Sequence, residues 1–242
     1  MKKPSNTIPL VTINKQRAMP LKYNSENTLL INSIFNTIQG EGPFAGSPAT
    51  FIRLTGCNLR CPACDTEYTS VMEIGDLSDH YNILTHLHNM DALPLIVVTG
   101  GEPFRQNLNP LINTLINHGY RVQIETNGTL PPPPGYLDQA TIVCSPKTHF
   151  VHPDLLPHIN SFKYVLDRND MSDDGLPIRA LGHKVKGRVY RKPKDHHAEV
   201  FLQPIDVQDD IENKLHQDAV VQSCIANGYR LCLQIHKFIG VE

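Results

Sequence analysis

"PLIVVTGG", residues 94–101, sets four consecutive apolar side chains before a threonine and two glycines. A short unbroken apolar run closed by glycine fits a strand buried on both faces, as in a parallel sheet. The next segment, "NLNPLINTLINHG" (107–119), changes period. Its Leu111, Ile112, Leu115 and Ile116 share one helical face, and Gly119 lies past the end. Further strands are predicted at "YRVQIETNG" (120–128), "ATIVCSP" (140–146), "SFKYVLD" (161–167) and "EVFLQP" (199–204), with "PPPPG" (131–135) breaking the chain between the first two. Upstream, "LLINSIF" (29–35) and "ATFIRLTG" (49–56) read as strands, and "SDHYNILTHLHNM" (78–90) as a helix with a Ser/Asp start. Downstream, a helix is predicted over about 209–227, capped by Asp209 or Asp210, with Ile211, Leu215, Ala219 and Val220 facing in. "YRLCLQIH" (229–236) reads as the last strand. Short strands alternating with helices predict an α/β fold with a mostly parallel sheet.

Residues 1–26 are polar and unpatterned, and read as a tail preceding a single domain over 27–242. The charged stretch 168–198 reads as a solvated excursion from that domain rather than a binding surface. The chain has 242 residues, 40% hydrophobic and 19% charged, which fits an ordinary globular protein. Its net charge of −2, from 22 basic and 24 acidic residues, gives no overall pull toward nucleic acid or an anionic membrane. No run is long enough for a signal peptide or a membrane span, so a cytoplasmic location is expected. Six cysteines in such a chain do not suggest a disulfide framework. Cys144, Cys224 and Cys232 each sit in an apolar run and read as buried thiols.

In parallel sheets, ligands collect beyond the C-terminal ends of the strands. Polar tags stand at four such ends: "TGGEP" (99–103), "ETNG" (125–128), "SPK" (145–147) and "QP" (203–204). One shared pocket accounts for all four. Near them, "GCNLRCPACDT" (56–66) sets Cys57, Cys61 and Cys64 within eight residues. Zinc prefers four ligands, usually in two pairs, and no second pair is present. A [4Fe–4S] cluster normally takes four cysteines, so three leave one iron open to a small molecule. The C-x3-C-x2-C spacing is the radical-SAM signature, in which that iron holds the amine and carboxylate of S-adenosylmethionine (SAM). In "TGGEP", Gly100 and Gly101 allow close backbone approach to a ligand, and Glu102 offers a carboxylate to an ammonium.

The block "NTIQGEGPFAGSPATFIRLTGCNLRCPACDTEYT" (36–69) resembles the N-terminal block of the 7-carboxy-7-deazaguanine synthase family. "VVTGGEP", "QIETNGT", "VCSPK", "FKYV", "LQPI" and "RLCLQIHKFIG" resemble that family in the same order, over most of 29–242. The resemblance implies a partial, TIM-like α/β barrel with a radical SAM core, usually a homodimer. It implies conversion of 6-carboxy-5,6,7,8-tetrahydropterin to 7-carboxy-7-deazaguanine, with ring contraction and loss of ammonia, for queuosine-type products. It also implies a [4Fe–4S] cluster, SAM, Mg²⁺ and an external electron donor.

The resemblance assigns roles residue by residue. Cys57, Cys61 and Cys64 are the expected cluster ligands. Thr99, Gly100, Gly101 and Glu102 are expected along the methionine part of SAM. Asn127, Ser145, Lys147 and Gln203 are expected to reach its ribose and carboxylate from neighbouring strand ends. Gln39 and Glu41 carry groups that suit a pterin edge, Arg53 suits a substrate carboxylate, and His236 is a further expected substrate contact. Thr66 is the expected Mg²⁺ ligand, beside Asp65, which serves equally well as a loop cap. One position departs from the pattern: the residue before the third cysteine, usually aromatic, is Ala63. Two other readings share part of these features. A glycyl-radical activating enzyme would carry the cysteines and "GGE" without "QGEG" or the terminal "LQIHK". A zinc-binding module would use the cysteines alone, with 179–194 as a nucleic-acid surface.

Overall fold

A computed structural model describes residues 28–65, 76–133, 135, 137–183 and 186–241. The tail expected over 1–26 lies outside the described residues. The chain begins with β1 (Thr28–Ile38) and β2 (Pro48–Leu54), followed by β3 (Asp76–Asp79) and helix α1 (His80–Asn89). Then come β4 (Leu95–Gly100), α2 (Asn109–Asn117), β5 (Arg121–Thr126), β6 (Thr141–Cys144) and β7 (Ile159–Leu166). The last elements are β8 (Glu199–Pro204), α3 (Asp210–Asn227), β9 (Arg230–Leu231) and α4 (Ile235–Ile239).

The strands form one nine-stranded sheet in the order β3-β1-β2-β4-β5-β6-β7-β8-β9. β1 pairs antiparallel with β2 and β3, and from β2 to β9 each neighbouring pair is parallel. The described strands do not close on themselves, so the barrel is partial. Leu95, Ile96, Val97 and Val98 of β4 are buried on both faces, as their unbroken apolar run requires. On the outer face Ile96, Val98, Ile124, Ile142 and Phe162 share one apolar cluster with Ile83 and Leu87 of α1 and Leu111 and Leu115 of α2. On the inner face a small floor of Ala49, Leu95 and Val97 is covered by Phe44 and Phe51. Above that floor the inner face turns polar.

The sequence reading and the structure differ at five places. β3 ends at Asp79, which caps α1 by accepting from the Asn82 N–H at 2.8 Å, so the helix starts two residues later than its Ser/Asp signal suggests. Helices do not separate all strands. Single 3-10 turns at Leu137–Gln139 and Leu156–His158 follow β5 and precede β7. The proline run ahead of the first turn lacks the N–H groups a helix needs.

α3 starts at Asp209, whose carboxylate accepts from the Glu212 N–H at 2.9 Å, but its inward face is not the expected one. Ile211 and Leu215 are exposed, whereas His216, Val220, Ser223 and Cys224 are buried. The reason is what α3 packs against. The chain after β7 presents backbone to it: Ser223 Oγ donates to the Gly175 carbonyl at 2.7 Å, and His216 Nδ1 accepts from the Arg168 N–H at 3.1 Å. The 168–198 stretch is therefore no simple solvated excursion. It buries Leu176, Ala180, Val189 and Ala198, and Arg191 pairs with Asp174 at 2.8 Å.

The last predicted strand shrinks to the two residues of β9. Beyond it the chain leaves the sheet, Ile235 N donates to the Gly40 carbonyl at 3.2 Å, and α4 forms beside β1. Among the described residues no helix is long and apolar enough to cross a membrane.

Candidate active site

The parallel strands deliver their C-terminal ends to one cavity. Thr99, Gly100 and Gly101 line it from β4, Asn127 from β5, Ser145 and Lys147 from β6, and Gln203 from β8. Cys57, Cys61 and Cys64 line it from the loop after β2. Gln39, Glu41 and Arg53 line it from β1 and β2, and His236 from α4. Fourteen of the sixteen site residues expected from the sequence thus share one space. Thr66 lies outside the described residues, and Glu102 faces elsewhere.

The cysteine loop is clamped to the end of β4 through backbone. Gly101 N donates to the Leu54 carbonyl and Glu102 N to the Gly56 carbonyl, both at 2.9 Å. A Cβ on Gly101 would lie 2.1 Å from the Gly56 oxygen, and one on Gly100 2.3 Å from the Leu54 oxygen. These glycines permit close strand-to-loop contact, and both also line the cavity. Asn127 makes a second tie. Its side chain donates to the Asn58 side chain at 3.0 Å and accepts from the Thr129 N–H at 2.9 Å.

Burial pushes the Cys57 and Cys61 thiols up to about 12, with the Glu102 carboxylate adding to the effect on Cys57. Such thiols give up their protons to a bound metal rather than to water. Among the described residues, no three Cys, His, Asp or Glu side chains converge on the position of a single ion. Three thiols facing one cavity from one short loop suit a polynuclear cluster, which spreads its ligands over separate irons. The donor set fits the [4Fe–4S] group.

Glu102 corrects the sequence reading. It is fully buried, and its carboxylate accepts from Thr126 Oγ1 at 2.6 Å, Asn127 N at 2.7 Å and Phe104 N at 3.1 Å. Burial raises its pKa, against the three donors. With its acceptor sites engaged inside the protein, the side chain ties the β4 exit to the β5 exit. The adjacent backbone, not this carboxylate, faces the cavity.

The inner face of the sheet carries a buried charged cluster. Lys163, in the middle of β7, donates to Glu41 and lies 3.3 Å from Glu125 of β5. Glu125 also accepts from Gln39 at 3.0 Å and from Gln123 at 2.9 Å. The Gln234 amide donates to the other oxygen of Glu41 at 2.8 Å. Burial alone would raise the Glu41 carboxyl, but the Lys163 ammonium and the Gln234 amide outweigh it and hold the group well below the usual carboxylate range. Burial disfavours the Lys163 ammonium, yet Glu125 and Glu41 together raise its pKa. Glu41 is thus a fixed anion beside two amides, which can accept further N–H groups on its remaining lone pairs.

Lys163, Glu125 and Gln234 were not singled out from the sequence. A signal was present: a lysine inside "SFKYVLD" and a glutamate inside "VQIET" interrupt otherwise buried strands. Pairing them required knowing that both point to the same face. Around this cluster, the Arg53 guanidinium lies 4.5 Å over the Phe35 ring with its strand position facing the cavity. Lys147 donates to the Ser145 carbonyl at 2.7 Å and hydroxyl at 2.5 Å, and burial lowers its pKa. Burial likewise lowers that of His236, against the pull of Glu41. The His236 ring lies so close to Gly40 that a Cβ there would be 1.9 Å from Nδ1.

Comparison with known proteins agrees with this arrangement. Residues 51–140, from β2 through the cysteine loop to the turn before β6, match the Radical SAM superfamily. The chain is 39% identical over 227 residues to 7-carboxy-7-deazaguanine synthase of Rhodospirillum rubrum, covering 88% of this chain and 93% of that protein. It is 37% identical over 222 residues to the synthase of Rickettsia prowazekii, covering 88% and 89%. The crystal structure of QueE from Escherichia coli matches with a TM-score of 0.64 at 27% identity, covering 85% of this chain and 93% of that one. The two named relatives are synthases, not activating enzymes or zinc modules.

Proposed function

The chain belongs to the 7-carboxy-7-deazaguanine synthase family, and we propose on that footing that it converts 6-carboxy-5,6,7,8-tetrahydropterin to 7-carboxy-7-deazaguanine, with ring contraction and loss of ammonia. It is a radical SAM lyase that uses a [4Fe–4S] cluster and SAM. The observation that carries the reading is one cavity shared by the three thiols, the polar strand ends and the Glu41–Lys163–Glu125 cluster.

Cys57, Cys61 and Cys64 hold the cluster. When bound, the cluster would pass on a single electron, taken from an external donor, for the reductive cleavage of SAM. The chain's own work is binding, orientation and exclusion of water. Backbone at Thr99–Gly101 and the side chains of Asn127, Ser145, Lys147 and Gln203 form the cofactor side. Gln39 and Glu41 read the N–H and amino donors of the pterin edge, and Lys163 keeps Glu41 ionised for that task. Gln234 and His236 close the same side from the C-terminal segment. Arg53 presents a two-pronged donor to the substrate carboxylate. Thr66 is the proposed Mg²⁺ ligand, in keeping with the oxygen preference of that ion. An external one-electron donor, a homodimeric state and a cytoplasmic location complete the proposal.

The test is an anaerobic assay of reconstituted protein with SAM, a chemical reductant and the tetrahydropterin carboxylate. Formation of 7-carboxy-7-deazaguanine is expected. SAM cleavage with no conversion of this pterin, at any substrate concentration, would sink the reading.

A further inference from the structure

Leu181 stands in the stretch between β7 and β8 with a backbone φ of 50°, followed by Gly182 at 72°. A leucine in the left-handed region is sterically disfavoured, and such a residue persists only where its surroundings over-determine it. A glycine at 181 would relieve the strain, so the leucine side chain is what calls for explanation.

Its surroundings are well fixed. Upstream, Tyr229 Oη donates to the Asp174 carbonyl at 2.7 Å, and Ser223 of α3 holds Gly175. Leu176, Ala180 and Val189 are buried on either side of the turn. Val189 N donates to the Ile178 carbonyl at 2.8 Å, which pins the two arms of this excursion together. At its tip the Leu181 carbonyl accepts from Ala63 N at 3.1 Å, between the second and third cysteines, and the Leu181 side chain lines the cavity. The excursion is thus anchored on α3 and laid across the cysteine loop.

Of the cysteine loop's own side chains, Leu59 and Ala63 are the apolar ones that line the cavity, and Asp65 and the strand-end groups Thr99, Asn127, Ser145 and Lys147 are polar. The polar groups suit an amine, a carboxylate and ribose hydroxyls. The nucleobase is the part of SAM with flat apolar faces, and the methyl of Ala63 is too small to cover one. We propose that Leu181 is the apolar wall against which the adenine of SAM is held, so that this excursion supplies a cofactor-contacting residue. The inference rests on the function proposed above and adds to it the residue that positions the base.

The experiment uses the full chain, reconstituted without air, as wild type, Leu181→Gly and Leu181→Met. Five quantities are read: iron per chain, thermal midpoint, and equilibrium binding of SAM, of 5′-deoxyadenosine and of methionine. Leu181→Gly is expected to load iron like wild type and to melt no lower, because it relieves the backbone strain. Its affinity for SAM and for 5′-deoxyadenosine is expected to fall about tenfold, as for loss of one apolar side chain from a ligand contact. Its affinity for methionine is expected to hold. Leu181→Met, which conserves volume, is expected to restore SAM binding to near wild type. SAM binding by Leu181→Gly within twofold of wild type overturns the inference. So does a parallel loss of iron, SAM and methionine, which would make Leu181 a support of the loop alone. Wild-type protein that loads iron but binds no SAM overturns the proposed function itself, and the inference with it.

Discussion

At the scale of single residues, two carboxylates that look alike in the sequence do different work. Glu102 is enclosed by three donors and faces away from the cavity. Glu102→Gln keeps one carbonyl acceptor and loses the second, so the protein should be destabilised by about 1–3 kcal/mol. Urea unfolding measures this, and SAM affinity should change little in the protein that remains folded. Unchanged stability with a large loss of SAM affinity would restore the ligand role that the sequence suggests. Glu41 lies in the cavity and is held as an anion. Burial opposes its charge, but Lys163 and Gln234 bring its pKa from 4.5 down to about 2. A carboxyl whose folded pKa is depressed stabilises the fold fully above the unfolded value, and that contribution is lost as pH falls through the folded one. Wild type should therefore lose stability between about pH 4.5 and 2 through this group. Glu41→Gln, less stable at pH 7 by about 2–4 kcal/mol, should close on wild type over that window. Denaturant unfolding at pH 7 and pH 3 checks the sign: a gap that widens at low pH contradicts it. At neutral pH the same variant should lose pterin turnover by at least about tenfold, because the amide replaces one accepting oxygen with an NH2 donor, which cannot take an N–H group as the carboxylate does.

At the scale of elements, the contact between β1 and α4 decides whether the C-terminal residues reach the substrate. Gly40 packs its bare Cα against the His236 ring, and its carbonyl accepts from Ile235 N. Gly40→Ala forces the ring aside. The expected result is a KM for the pterin raised by about tenfold, with iron content and SAM affinity unchanged, since the cysteine loop lies on other strands. A fall in iron content would show that the displacement spreads through the sheet. The elements also show what can be read without a structure. β4 and α2 are set by local pattern: an unbroken apolar run, then a helical repeat ended by Gly119 with φ of 82°. The cysteine loop and the strand-end tags are legible because each is a contiguous motif. α3 misleads because its burial is decided by a distant partner. The chain after β7 brings backbone groups to the helix, so Ser223 and His216 turn inward and Ile211 is left in solvent. β9 misleads for a related reason: its apolar alternation continues, but Ile235 finds its hydrogen bond on Gly40 rather than on β8. Lys163 and Glu125 are each visible as charges inside strands. Their pairing depends on strand order and on which face is concave, and neither is written locally.

At the scale of the whole molecule, the sheet divides the labour. The ends of β2, β4, β5 and β6, with the excursion before β8, surround the cysteine loop. The substrate side draws on β1 and β7, with Arg53 of β2 and Glu125 of β5, and on a C-terminal segment that leaves the sheet after β9. That segment is separable on structural grounds. β9 keeps its parallel pairing with β8 without it, and Lys237, Phe238, Ile239 and Val241 are exposed. Of its side chains, Gln234 is the buried one, and its partner Glu41 retains Lys163. A chain ending at Leu233 should therefore fold, losing no more than about 1–2 kcal/mol for the missing hydrogen bonds. It should load iron and bind SAM like the full chain. Without Gln234 and His236 it should fail to hold the pterin. Reductive SAM cleavage should then continue at its slow substrate-free rate, releasing 5′-deoxyadenosine with no 7-carboxy-7-deazaguanine. Chromatographic quantification of both products from the same reaction reads the two halves separately. Equal loss of both would mean that the C-terminal segment supports the cofactor side as well, and that the division across the sheet does not hold.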